Sequence, residues 1–212
     1  MPTKLKPKVE KNKVSRRERK KQELREAIYN VAVKLFSRKG FDKVIIKDIT
    51  DKVDISKATF FNYFSSKEAI LPHFLSQSLD EVKNQLAEET KQSMSAVKKL
   101  QHLIVLISKM VVENELLFKW VLIETFRIRA YQKKGHVEVS EKIRASMEEI
   151  LREGKKKGEF KEKMDPKMTA DILEGVLFLS VVRWVTVLKD IDTSLAKSLL
   201  KKINYIIEGF KA

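Results

Sequence analysis

Apolar residues from Leu24 onward recur at steps of three and one: Leu24, Ala27, Ile28, Val31, Ala32, Leu35 and Phe36 share one helix face. Ser15 and Glu18 have capping-box spacing, and Gly40 after Arg38 and Lys39 is a stop signal, so a helix should start near Arg16 and end before Gly40. Two short helices follow, over roughly 47–53 and 57–64, joined by Asp54 and Ile55 and with Ser56 capping the second. Ser65 and Glu68 repeat the capping-box spacing and open a long helix over 66–91. Further stripes predict helices over 95–112, 114–131, 137–156, 166–189 and 194–210. Asp165-Pro166 starts one of these, and Asp192 or Thr193 caps the last. The fold class is all-α with about nine helices. It divides into a flexible basic arm (1–14), a three-helix unit (15–67) and a larger helical domain (68–212).

Composition supports this class and narrows the chemistry. Only 6 Gly and 4 Pro stand in 212 residues, too few for a turn-rich β protein. The absence of Cys excludes disulfides, thiolate metal sites and thiol catalysis. The longest apolar runs, 103–107 and 176–182, fall far short of the ~20 residues of a membrane span. The N-terminus has no apolar signal region, so a soluble, cytoplasmic protein with no membrane partner is expected.

The net charge is +15, and its distribution matters more than its size. Residues 1–67 hold 19 basic and 8 acidic side chains, whereas 68–212 hold 25 and 21. A heat-adapted, Lys-rich surface would not load one end, whereas a polyanion-binding site would.

The two short, closely joined helices have the outline of a helix-turn-helix. In the second, SKATFFNYF, Phe60 and Phe64 are four apart and should face the core. The opposite face carries Lys57, Thr59, Asn62 and Tyr63, with Ala58 and Phe61 beside them. Lys57 can donate to guanine or phosphate and Asn62 can pair bidentately with adenine. Ala58, the Thr59 methyl and Phe61 can meet thymine methyls. The Tyr63 hydroxyl and Lys67 suit phosphate oxygens. Simple aromatic core packing is the alternative, but four aromatics within five residues cannot all turn inward on one helix.

Residues 22–70 resemble the DNA-binding domain of the TetR family. The resemblance rests on Leu35-Phe36, Gly40-Phe41, Asp48-Ile49, Thr59, Tyr63-Phe64 and Lys67-Glu68 at the family's spacing. A second, looser similarity runs through Gly154, Gly158, Phe160, Asp165-Pro166, Ala170 and Gly175. The family places Ser or Thr before its second helix; here Val44, Ile45 and Ile46 stand there, and Lys47 can take over the phosphate contact. Asp54 replaces a frequent Gly, and Phe61 a frequent Tyr. The arm over 1–14 tracks phosphates, enters a minor groove or is a solvated tail.

The resemblance implies that 15–67 is a DNA-binding domain and that 68–212 binds a small molecule and forms a homodimer through 166–189 and 194–210. Residues 170–188 are apolar on most faces, and Leu195, Leu199, Ile203, Ile206 and Phe210 form a stripe suited to a two-fold interface. Candidate ligand-lining residues are His102, Leu106, Met110, Phe118, Trp120, Glu124, Arg127 and Phe178. The polar ones serve equally well as surface or ion-paired groups. A lipophilic, acyl-type effector is expected, with no other cofactor and no metal. The expected function is a ligand-responsive transcriptional repressor on double-stranded operator DNA. An enzyme is the first rival, but His73, His102 and His136 are scattered and no phosphate loop or hydrolase motif is present. The second rival is a non-specific nucleic-acid-binding protein driven by the basic N-terminus.

Overall fold

Helix α1 (Arg16–Lys39) begins at a reciprocal cap: the Ser15 hydroxyl accepts from the Glu18 amide, and the Glu18 carboxylate accepts from the Ser15 amide. Those bonds hold the Glu18 carboxyl below its ordinary pKa. The helix ends at Gly40, whose φ of 88° is open to glycine and strained for other residues. The structure is a computed structural model and describes residues 15–90, 93–126, 134–188 and 194–212. The expected arm over 1–14, Arg127 and the expected caps Asp192 and Thr193 lie outside these residues.

Helix α2 (Ile46–Val53) follows Ile45, which has no side-chain oxygen to cap it. The Asp48 carboxylate instead accepts from the Ile45 amide at 2.9 Å, which lowers the Asp48 pKa, aided by nearby Lys39. Asp54 then turns the chain in the left-handed conformation, φ 59°. Helix α3 (Lys57–Phe61) is capped by the Ser56 hydroxyl, which accepts from the Thr59 amide at 3.0 Å.

Two expected boundaries shift here. Helix α3 stops at Phe61 rather than Phe64, because the amides of Asn62 and Tyr63 bond three residues back and tighten the chain into a turn. That turn delivers Phe64 to the core. Helix α4 (Ile70–Glu89) starts later than expected. Lys67 is drawn away into the three-helix unit, and Ser66, not Ser65, accepts from the Ala69 amide.

Helices α5 (Ala96–Glu113), α6 (Glu115–Phe126), α7 (Lys134–Lys156), α8 (Pro166–Arg183) and α9 (Leu195–Glu208) complete the nine α-helices among the described residues. Asp165 caps α8 as its sequence implies, and Ser194 caps α9. The expected single helix over 166–189 is interrupted: Trp184–Leu188 forms a π-helical turn. There the Thr186 hydroxyl donates to the Val182 carbonyl at 2.7 Å and competes for the backbone ladder.

Helices α7 and α8 pack together, α9 lies on α5 and α8, and α4 runs between the two parts of the chain. The core is one continuous cluster from Ile28 to Ile207. The α9 stripe expected at a dimer face is largely used within it. Leu195, Leu199 and Ile203 are buried in the subunit's own interior, because α9 closes over α5.

Candidate nucleic-acid interface and effector domain

Phe60 is wholly buried and Phe64 nearly so, with their rings 6.1 Å apart. They fix α3 to the three-helix unit, which turns Lys57, Ala58, Phe61 and Asn62 outward. Phe61 is 50% exposed, a large apolar face beside a cation and an amide. Such a set fits a base edge better than water. Thr59 is half-buried, with its hydroxyl 2.9 Å from that of Ser56. Tyr63 is also half-buried and leans on the core. Lys47 is exposed but its ammonium is paired with Asp51, which raises its pKa; a phosphate would have to compete with that carboxylate.

Lys67 departs from its expected role. Its ammonium donates to the carbonyls of Phe41 at 2.8 Å, Val44 at 2.9 Å and Asp42 at 3.4 Å, and lies 4.6 Å from the centroid of the Phe41 ring. These carbonyls follow the end of α1 and lack helical partners, so the lysine ties the α1–α2 loop to the start of α4. All three donors are committed, and phosphate binding is not what this geometry offers. Lys67→Met should lower stability by about 1.5–3 kcal/mol in denaturant unfolding, yet leave the salt dependence of DNA binding unchanged. A reduced salt slope with undiminished stability would restore the phosphate role.

Above this unit lies a joint that sequence spacing did not reveal, since its members are about fifty positions apart. His73 of α4 meets Tyr29 of α1 edge-on at 4.9 Å and Phe64 at 6.0 Å. Arg25 lies 5.0 Å over the Phe64 ring, and Gln77 donates to Glu26 at 3.1 Å. The His73 Nε2 is buried with no hydrogen-bond partner among the described residues. Burial, then Arg25, lowers its pKa from 6.5, while Glu26 opposes them. Folding therefore favours neutral His73, and the unfolded chain takes up the proton first. As pH falls through about 6.5, stability should decline, and this part of the decline should be missing in His73→Phe. Parallel melting curves for the two proteins between about pH 7.5 and 5.5 would count against it.

The expected ligand-lining residues are not brought to one wall. Leu106, Met110, Phe118 and Glu124 are buried on α5 and α6, with the Phe118 ring 6.1 Å from Phe74 of α4. Trp120 instead packs 5.0 Å from Phe41, as an interdomain contact. It can reach Phe41 because α6 also touches α1. Phe178 is exposed and pairs at 6.0 Å with exposed Phe126. His102 lies on the surface, 2.6 Å from Glu89, in an open cleft of about 440 Å³ that Met94, Lys98, Gln101 and Val105 also line. Among the described residues, no cluster of three His, Asp or Glu could hold a metal, and no helix is long and apolar enough to cross a membrane.

A family model for bacterial regulatory proteins of the tetR family matches residues 28–73, and one for the Tetracyclin repressor-like C-terminal domain matches 93–186. Together these spans take in well over half of the chain. The Bacillus subtilis HTH-type transcriptional regulator YvdT is 40% identical over 65 residues, 29% of this chain and 34% of that protein. The match thus spans about a third of YvdT. Thermus thermophilus FadR, a TetR-family repressor solved with lauroyl-CoA, superposes with a TM-score of 0.74 at 24% identity, covering 87% of this chain and 94% of FadR. A regulator from Saccharomonospora viridis in complex with choline gives a TM-score of 0.65 at 21% identity over 90% and 99% of the two chains.

Proposed function

The chain belongs to the TetR family of transcriptional regulators, and from that premise we propose that it is a homodimeric repressor that reads operator DNA with α3 and leaves it when an apolar effector binds. The outward face of α3 carries this proposal. Lys57, Ala58, Phe61 and Asn62 form a base-reading set on a helix clamped by buried Phe60 and Phe64. Thr59, Tyr63 and Lys47 flank it as candidate sugar and phosphate contacts. A protein that reads an operator works in the cytoplasm, and its product is occupancy of DNA rather than turnover.

Asn62→Ala should cost ~1–3 kcal/mol of operator binding and relax the preference at one base pair in each half-site. Footprinting on DNA upstream of the protein's own gene, with wild type and variant in parallel, measures this. An unaltered base preference would favour non-specific binding instead.

Two subunits are needed to read two half-sites about one turn apart. The outer face of α8 suits the contact: Met168, Ile172 and Leu179 are exposed on one stripe. Gly175 lies between them, and a Cβ placed there would touch nothing among the described residues. Two such stripes around a two-fold axis can approach closely.

The effector we assign is acyl-type. FadR is solved with lauroyl-CoA on a similar fold, and here Leu106, Met110 and Phe118 are buried apolar side chains of α5 and α6. Adding lauroyl-CoA to the operator complex tests this; choline is the contrasting ligand. Release follows from linkage: a ligand favouring one spacing of the two α3 helices weakens DNA binding by the factor by which DNA weakens its own. Helix α4 is placed to carry the change. Lys142 of α7 holds Ser76 at 2.7 Å and Asp80 at 2.9 Å, while His73 and Gln77 face α1.

A further inference from the structure

Helix α1 extends beyond the body it belongs to. Every residue from Ser15 to Glu23 is exposed, and burial starts only at Leu24. Eight helical residues, Arg16 to Glu23, thus project about 12 Å at 1.5 Å per residue.

The chemistry of the inward face changes at that boundary. Leu24 and Ile28 turn toward the core, and at 100° per residue Arg16, Arg17, Lys20 and Lys21 continue the same side within an arc of about 140°. A helix adapted to water would place acids among these cations. Here Glu18 is taken up by the Ser15 cap and Glu23 pairs with Arg19 at 3.5 Å, and both lie outside the arc. Arg16, Arg17, Lys20 and Lys21 make no ion pair among the described residues. Arg16–Lys20 and Arg17–Lys21 are like-charged pairs four apart, each unfavourable to the helix. Cations near the start of a helix also oppose its dipole. Local stability therefore does not account for the arrangement, whereas a polyanion does. Because Ser15 already caps the helix, the side chains and not the end amides would bind it.

Position supplies the partner. Arg25, one turn below Lys21, lies 5.0 Å over the ring of Phe64, which closes the α3 turn. The projecting cations thus begin one helical turn beyond a contact with the turn that follows the recognition helix. We propose that Arg16, Arg17, Lys20 and Lys21 form a second phosphate-binding surface that grips the duplex outside the base pairs α3 reads. This rests on the DNA-binding function proposed above and adds a footprint in the flanking DNA.

The test uses the full-length protein with arm and effector domain intact. Operator duplexes with long flanks are compared with duplexes trimmed to the two half-sites, across a salt series, for wild type and for the fourfold variant Arg16→Gln, Arg17→Gln, Lys20→Gln, Lys21→Gln. Trimming should weaken wild type at least tenfold at moderate salt and lower the slope of log affinity against log salt by about 0.9 for each phosphate no longer engaged. The variant on long flanks should show the same reduced slope, trimming should then have little further effect, and its ranking of operator base substitutions should match wild type. Equal slopes for wild type on both duplexes would overturn the surface, and that comparison involves no mutation. A variant with the wild-type slope on long flanks would overturn it too, as would loss of adsorption to anionic phosphatidylglycerol vesicles in place of any flank effect. If wild type showed no operator preference on either duplex, the repressor function itself would fall, a distinguishable outcome.

Discussion

Phe60→Ala should cost about 3–5 kcal/mol of stability and leave the protein unable to select its operator. The side chain is wholly buried, with Phe61 edge-on at 5.6 Å and Phe64 at 6.1 Å. Truncation opens a cavity where a helix of five residues meets its support. So short a helix is unstable alone and depends on that packing. Losing it releases the orientation of Lys57, Phe61 and Asn62 together. Binding should then fall to the sequence-independent level, ~10³-fold or more below specific binding. Thermal unfolding and competition between operator and random duplex measure the two effects. Retained discrimination in a destabilised protein would mean that α3 is held by something other than this ring.

A comparable loss should come from a residue far from DNA. Leu179→Glu places a charge on the exposed α8 stripe, where Leu179 is 59% accessible in the single subunit and Met168 64%. Across a two-fold axis the two glutamates would oppose each other in the apolar interface and desolvate without a partner. The dimer should separate while each subunit keeps its helical signature, because the position is not part of the internal core. Operator affinity should drop about a hundredfold or more, the contribution of joining two half-site contacts. Sedimentation and gel retardation on one sample would show both. A variant that stays dimeric would move the interface off this stripe, and a monomer with full operator affinity would remove the need for a dimer.

Much of the DNA-binding unit could be read from sequence because its signals are local. Ser15 with Glu18, Gly40, Ser56 and Asp165-Pro166 fix helix ends through bonds to neighbours within a few residues, and each behaves as its spacing implies. The partition of FFNYF was accessible in part: helical spacing puts Phe60 inward and Phe61 outward, whereas Phe64 reaches the core through the turn that ends α3. Lys67 was misjudged on the same logic. Its sequence neighbours suggest a surface cation, but the carbonyls that bind it belong to residues more than twenty positions earlier.

The effector domain was harder to read, for a related reason. Its helices are apolar on several sides, so periodicity does not say which side meets the core, a ligand or a second subunit. Trp120 lies against Phe41, Phe178 is exposed beside Phe126, and the α9 stripe is used inside the subunit. None of these pairings has a spacing signature.

The sequence by itself determined the helical class, the order and caps of most elements, the family, and the exposure of Lys57 and Asn62 but not the partial burial of Thr59 and Tyr63. These follow from hydrogen bonds and periodicities that span a few residues. Tertiary structure alone decided that Lys67 is a clamp, that the His73 Nε2 is buried with no hydrogen-bond partner among the described residues, and that Arg25 of α1 lies over Phe64. Each depends on which distant backbone lies beside a side chain, and that is set by how whole helices share one core.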